Sequence, residues 1–247
     1  MAQLVVDIGN TSTKLAVFEN NELVWTNHYQ QVDRTLLQGI ISRYAVQKAI
    51  LSSVKPDKQA WFHELESLTQ LIYFNRDMAR GIKNHYRTPQ TLGLDRLLGV
   101  MAALYTYPGS YNLVIDAGTC ITYDGVDADG NYYGGSISPG LNMRYQALNH
   151  YTAGLPLVQA NEHYNRPFGD DTLTAMQSGV QNGISYEVQG FMQSYLQQAA
   201  NLNIILTGGD GVFLDTLLKN SIFAGYIKLE PYLVLKGLNA AIQEHND

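Results

Sequence analysis

Residues 4–9 read LVVDIG, and residues 113–118 read LVIDAG, so nearly the same six-residue pattern occurs twice in the chain. In each copy an apolar run ends in Asp-x-Gly, and small polar residues follow at once. Two further strand-like runs then come after each copy, separated by a polar turn: 15–18 and 23–29 in the first, 121–126 and 132–137 in the second. The matched turn chemistry predicts two β-meanders that arose by duplication.

Strand-like and helix-like patterns alternate through the rest of the chain. Strands are predicted at 49–54, 71–74, 203–206 and 225–229. Helices are predicted at 33–44 with Asp33 as N-cap, and at 57–68, 94–105, 140–150, 172–199, 211–219 and 231–243. This alternation predicts an α/β fold of two ribonuclease H-like domains, residues 1–110 and 111–247, with a cleft between them. The helix-breaking residues Pro108-Gly109-Ser110 suggest the boundary.

Composition excludes several classes of protein. A net charge of −6 with 15% charged residues argues against nucleic-acid binding, which needs a basic face. The single cysteine, Cys120, excludes an internal disulfide framework and a cysteine-rich zinc site, and we expect it to be a small buried residue. The six histidines lack metal-ligand spacing. No signal peptide and no long apolar run is recognisable, so we expect a cytoplasmic protein that does not bind membranes.

The two Asp-x-Gly turns have a specific chemical use. A glycine lets the backbone approach a phosphate closely, turn amides can donate to its oxygens, and a strand-end carboxylate can hold Mg²⁺ through water. Asp7, Gly9, Asn10 and Thr11 fit this description in the first copy, and Lys14 points either to phosphate or to solvent. In the second copy Asp116, Gly118 and Thr119 fit it. Strand termination alone would explain one copy, but two matched copies favour a shared polyphosphate ligand.

Two further motifs leave alternatives open. Thr207-Gly208-Gly209-Asp210 follows an apolar run, so it could approach a nucleotide base or ribose, or be only a turn. Gly93-Leu94-Asp95-Arg96 opens the predicted helix 94–105. There the carboxylate could accept a hydroxyl proton and the guanidinium could pair with a substrate anion. The alternative is a helix cap with Arg96 facing solvent.

Together these motifs carry a resemblance to a known family. The duplicated hairpins and the Gly-Gly turn resemble the acetate kinase, sugar kinase, Hsp70 and actin superfamily. More narrowly, the chain is similar to type III pantothenate kinases, and the similarity spans residue 4 to about 240. The motifs that carry it are 7–11, Tyr86 with Pro89, 93–96, 116–119, Gly134-Gly135 with 138–140, 172–183 and 207–209.

The resemblance implies ATP-dependent phosphorylation of pantothenate to 4'-phosphopantothenate, the first step towards coenzyme A. It implies ATP with Mg²⁺, a monovalent cation (K⁺ or NH₄⁺), and a homodimer with the substrate site at its interface. The implied ATP and phosphate residues are Asp7, Ile8, Gly9, Asn10, Thr11, Ser12, Thr13, Lys14 and Thr119. The implied pantothenate residues are Tyr86, Gly93, Leu94, Asp95 as general base, Arg96, and Thr172 from the partner subunit. Asp116 would bind the monovalent cation.

The chain departs from the family at one position, and its motifs are compatible with several alternatives. The family usually has a small residue where this chain has Leu94, which would tighten the pocket if the side chain faces the substrate. The alternatives are another kinase or a polyphosphate phosphatase of the superfamily, an inactive regulatory or binding protein of the same fold, and an actin-like filament protein.

Overall fold

The protein is described by a computed structural model that covers residues 2–54, 60–199 and 201–244. The strands are β1 (Ala2–Ile8), β2 (Thr13–Glu19), β3 (Glu22–Tyr29), β4 (Lys48–Ser53), β5 (Gln70–Tyr73), β6 (Lys83–Asn84), β7 (Tyr111–Ala117), β8 (Cys120–Val126), β9 (Asn131–Pro139), β10 (Leu202–Thr207) and β11 (Ile227–Leu229). The α-helices are α1 (Arg34–Tyr44), α2 (Trp61–Leu68), α3 (Leu94–Thr106), α4 (Leu141–Tyr151), α5 (Thr172–Gln177), α6 (Gly183–Leu196), α7 (Gly211–Leu218) and α8 (Leu233–Glu244).

The chain divides into two units. The first unit comprises Met1–Ile82, Thr88–Tyr105 and Leu233–Asp247, and the second comprises Lys83–Arg87 and Thr106–Tyr232. The predicted domains, 1–110 and 111–247, differ from this division mainly at the C-terminal helix. Helix α8 packs in the first unit, where Gln243 Nε2 donates to Gln3 Oε1 at 3.0 Å. A Cβ on Gly237 would lie 2.9 Å from the Leu98 carbonyl, so only glycine lets α8 approach α3 this closely.

The sheet of the first unit has the strand order β3-β2-β1-β4-β5. Strands β1 to β3 form the predicted antiparallel meander, and β4 and β5 continue the sheet in parallel with β1. Successive side chains of β1 alternate between the faces. Leu4, Val6 and Ile8 join the hydrophobic cluster with residues of α1 and α2, whereas Gln3 and Asp7 lie on the opposite face. Asp33 caps α1 as predicted, because its carboxylate accepts from Leu36 N at 2.8 Å.

The sheet of the second unit repeats this arrangement. Its order is β11-β10-β7-β8-β9-β6, with β7 to β9 as an antiparallel meander and β10 and β11 parallel to β7. Both sheets therefore place the first strand of the meander between its hairpin partner and a parallel strand. The shared topology confirms the predicted α/β fold of two duplicated ribonuclease H-like halves.

Two features of the second unit were not predicted. Strand β6 lies in a segment for which no strand was predicted, and it pairs with β9. The helical region predicted at 172–199 is divided by a π-helical turn, Ser178–Asn182, and α6 ends at Leu196. In that turn Gln181 is fully buried, and its Oε1 accepts from Tyr145 at 3.0 Å and from Asn161 N at 2.8 Å. The π-helical turn thus orients the Gln181 side chain inward, towards these partners. A regular helix would point this side chain in another direction.

None of the helices in the described parts of the chain is long and apolar enough to cross a membrane.

Candidate active site

A row of three polar side chains crosses the first sheet near the carboxyl end of β1. Asp7 pairs with Lys14 on β2 and with Ser52 on β4, so the three side chains project from the same face. This face is opposite the hydrophobic cluster. Asp7 is 8% exposed and Ser52 is 1% exposed, whereas Lys14 is half-buried. Lys14 therefore lies beside Asp7 on this face of the sheet.

The electrostatic environment of Asp7 is unusual for a carboxylate. Its pKa is raised to about 6 from the ordinary 3.8, chiefly because burial removes water from the charged form. Lys14 lowers this pKa, and the negative charge of Asp95 raises it. Asp7 and Asp95 therefore lie within electrostatic reach in the first unit. A desolvated carboxylate at a strand end favours a nearby cation, so Asp7 is suited to a hydrated, phosphate-bound metal ion.

Asp95 stands in the first turn of α3, directly after the Gly93-Leu94 step. One carboxylate oxygen accepts from Arg96 N at 2.9 Å. A Cβ on Gly93 would collide with the same oxygen, so glycine at this position leaves room for the carboxylate. Arg96 is 8% exposed, which rules out the alternative in which it faces solvent. Leu94 is half-buried.

The first Asp-x-Gly turn connects β1 to β2. Gly9 N donates to the Ser12 carbonyl at 3.1 Å, and Asn10 and Thr11 at the tip are exposed. Thr13 is buried, and the Ile8 side chain belongs to the hydrophobic cluster. Of the predicted phosphate residues, Ile8 could therefore contribute only its backbone.

The second Asp-x-Gly turn is packed against the Gly-Gly turn in the second unit. Asp210 N donates to the Ala117 carbonyl at 2.9 Å. Gly208 has φ of +92°, and a Cβ there would collide with that carbonyl and with Asp116 Oδ1. Glycine is thus required both by the backbone conformation and by the space. The two motifs, which the sequence left as separate signals, form one cluster with Asp116 half-buried in it.

Thr119 belongs to the same cluster. Its side chain is exposed, and its carbonyl accepts from Gly140 N at 3.1 Å. A Cβ on Gly140 would collide with the carbonyls of Gly118 and Thr119, so the Ser138-Pro139-Gly140 segment fits tightly against the turn. Burial raises the pKa of Asp210.

Tyr86 is positioned by β9 in the second unit. Its ring stacks on Tyr132 with centroids 6.4 Å apart and an interplanar angle of 16°. Tyr132 is fully buried and donates to Asp124 Oδ1 at 2.8 Å. Gly134 has φ of +117°, and a Cβ there would lie 2.9 Å from two ring carbons of Tyr86. The glycine therefore leaves the space that the ring occupies.

Thr172 is exposed at the first position of α5, after a capping box made by Asp171 and Thr174. It lines a groove of about 870 Å³ together with apolar side chains of α4, α5 and the π-helical turn, including Leu148, Met176 and Val180. The neighbouring Leu173 is 50% exposed. This surface has the apolar character of a protein interface.

The predicted residues thus fall into two sets. The first unit contains residues 7–14 and 93–96, and the second contains Tyr86, Asp116, Thr119 and Thr172. Ser52 was missed: it lies in the strand predicted at 49–54, but nothing in that apolar run indicated that this serine would be opposite Asp7. Within the described residues, no three His, Cys, Asp or Glu side chains form a metal-binding cluster.

The chain is similar to known proteins over nearly its whole length. The sequence profile described as type III pantothenate kinase matches residues 3–194. A type III pantothenate kinase of Phocaeicola vulgatus is 42% identical over 245 residues, which cover 99% of this chain and 98% of that protein.

Two solved structures share the fold. One is the activator of 2-hydroxyisocaproyl-CoA dehydratase from Clostridium difficile, with bound ADPNP. It has a TM-score of 0.58 and 10% sequence identity, and the match covers 100% of this chain and 97% of that chain. The other is the ethanolamine utilization protein EutJ from Carboxydothermus hydrogenoformans. It has a TM-score of 0.55 and 14% sequence identity, and the match covers 98% of this chain and 89% of that chain.

Two repeated sheets, each with a strand-end Asp-x-Gly turn, define a protein of the actin-like class with duplicated ribonuclease H-like halves. Within that class, the profile match and the 42% identity over nearly the full length decide the family. The chain belongs to the type III pantothenate kinases.

Proposed function

We propose that this chain transfers the γ-phosphoryl group of ATP to the hydroxyl of pantothenate, giving 4'-phosphopantothenate and ADP, and that it acts in the cytoplasm. Family membership supports the substrates. The observation that carries the chemistry is the pair Asp7 and Asp95, which the first unit holds within electrostatic reach of each other. Nothing in the described parts of the chain favours the alternative of an inactive protein with this fold.

In this proposal Asp95 is the general base. The substrate hydroxyl oxygen attacks the γ-phosphorus, the bond to the bridging oxygen of ADP breaks, and the hydroxyl proton passes to Asp95. Since phosphoryl transfer has a loose transition state, the residues act mainly by positioning and by stabilising charge. The buried Arg96 would pair with the substrate carboxylate, and Tyr86, Gly93 and Leu94 would line the pantothenate site.

The phosphate groups would be held by residues 7–14 and by Thr119. The buried carboxylate of Asp7 fits a hydrated Mg²⁺, which keeps most of its water ligands and needs few protein ligands. When bound with the nucleotide, Mg²⁺ would neutralise charge on the phosphate oxygens. Asp116, half-buried against Gly208, would hold the monovalent cation, K⁺ or NH₄⁺.

We further propose a homodimer in which Thr172 contacts pantothenate bound to the partner subunit. The exposed Thr172 and the apolar groove beside it support this part of the proposal, because such a surface is typical of a subunit interface.

A coupled ADP-release assay tests the proposal. We expect turnover with pantothenate and none with acetate or with a panel of sugars. Replacing sodium by potassium or ammonium should raise the rate, and Asp116→Asn should remove that stimulation. Equal ADP release with and without pantothenate would contradict the proposed acceptor, whereas equal rates in all three salts would contradict only the cation site.

A further inference from the structure

Ser52 is a buried polar residue to which the proposed function gives no role of its own in binding. It is 1% exposed, and its hydroxyl has no hydrogen-bond partner among the residues that the structure describes. Leaving a buried hydroxyl unpaired destabilises a folded protein, so most such groups are paired by protein, water or a ligand.

The position of Ser52 indicates which ligand would supply the partner. In the parallel register of β1 and β4, Ser52 is directly opposite Asp7, and Lys14 is opposite Asp7 on the other side. Neighbouring strands are about 4.8 Å apart. The Ser52 hydroxyl therefore flanks the carboxylate proposed to hold hydrated Mg²⁺, on the side away from Lys14.

A second unpaired hydroxyl in the same unit gives a contrast. Thr69 Oγ1 is also buried and without a partner in the described part of the chain. Thr69 precedes β5, whose first residue pairs with Lys48, so it lies at the amino ends of the parallel strands. Asp7 and Ser52 lie near their carboxyl ends. Of these two hydroxyls, that of Ser52 is thus beside the predicted phosphate turn, and that of Thr69 is not.

We infer that Ser52 is a further nucleotide-binding residue, whose hydroxyl donates a hydrogen bond to an oxygen of the Mg²⁺–triphosphate group beside Asp7. This inference rests on the proposed function. The acceptor has the same chemistry whether it is a metal-bound water or a phosphate oxygen. Ser52 would act with Lys14, so that Asp7 has a donor on each side when the nucleotide is bound.

Calorimetric titration with a non-hydrolysable ATP analogue tests the inference. We expect Ser52→Ala to weaken binding of the Mg²⁺ complex about tenfold, because it loses a hydrogen bond to a charged group. Ser52→Thr keeps the hydroxyl on a strand residue and should bind within about twofold of the unchanged protein, as should the control Thr69→Ala. A loss that disappears when EDTA removes the metal identifies a metal-bound water, and a loss that persists identifies a phosphate oxygen.

Thermal unfolding separates this role from a structural one. Without nucleotide, Ser52→Ala should not lower the Tm, because it removes an unpaired buried hydroxyl, but the Tm increase caused by the analogue should shrink. Unchanged affinity in Ser52→Ala, or a lowered Tm without nucleotide together with an unchanged nucleotide-induced increase, would overturn the inference. ADP release by the unchanged protein with pantothenate tests the proposed function separately, so the two failures can be distinguished.

Discussion

Replacing Asp7 by Asn should make the first unit more stable at neutral pH while it damages the phosphate site. Asp7 has a pKa of about 6 in the folded chain and an ordinary value of 3.8, a difference that corresponds to about 3 kcal/mol. Between these two values the unfolded chain binds fewer protons than the folded chain. The free energy of unfolding therefore falls as pH rises from about 4 to about 6, and the loss is complete above the folded pKa.

The Asn variant lacks this ionisation, so its stability relative to the unchanged protein should depend on pH. We expect the two proteins to have nearly equal free energies of unfolding at about pH 4. At about pH 8 the Asn variant should be more stable by about 3 kcal/mol, or somewhat less if the amide is imperfectly paired. Urea denaturation across this range, without nucleotide and followed by the fluorescence of Trp25 and Trp61 in the first unit, measures the difference.

Two further variants make the test specific. Asp33→Asn removes an exposed carboxylate of the same unit and keeps an equally good N-cap, so its stability should change little at any pH. Asp95→Asn removes a charge that raises the pKa of Asp7. The pH range over which ionisation of Asp7 lowers the free energy of unfolding should therefore move to lower values. A difference between Asp7→Asn and the unchanged protein that stays constant from pH 4 to 8 would refute the reasoning.

Three other substitutions have expected outcomes. Asp95→Asn should lower kcat by roughly 10²–10⁴ while calorimetry finds nucleotide affinity nearly unchanged, because only the general base is lost; unchanged turnover would remove Asp95 from that role. Gly134→Ala, at φ of +117° and against the Tyr86 ring, should raise the KM for pantothenate several-fold with little change in the KM for ATP; equal increases in both would argue against selective displacement of the ring. Glu187→Gln should lower the free energy of unfolding by about 1–2 kcal/mol in denaturation experiments, because the carboxylate accepts from Arg144 at 2.6 Å and from two hydroxyls; unaltered stability would mean that this network contributes little.

Local patterns in the sequence were sufficient to predict most of the fold. The meanders were predictable because apolar runs and turn residues repeat in the same order, and the α1 start because Asp33 provides a standard cap. Strand β6 was not predictable, since two residues are too few to form a pattern and its partner is β9, far along the chain. The location of α8 depends on packing against β1 and α3, which no local signal encodes.

The candidate site was predictable in its parts but not in its arrangement. The Asp-x-Gly turns identified Asp7 and Asp116, yet only the structure brings the Gly-Gly turn against Asp116. Whether Arg96 faces solvent depends on how α3 is oriented, which the motif alone leaves open. Ser52 escaped notice because a serine within an apolar run has no signature, and its relevance follows only from the register of β4 with β1.

The assignment of α8 to the first unit has a consequence for biosynthesis. The ribosome synthesises the whole second unit before residues 233–244, the last described element of the first unit. Until then the face of β1 that bears Gln3 and Asp7 lacks the helix that packs over it. The unit whose synthesis begins first is therefore the unit that can complete its folding last. A nascent chain stalled before Leu233 would leave that face of β1 accessible to chaperones.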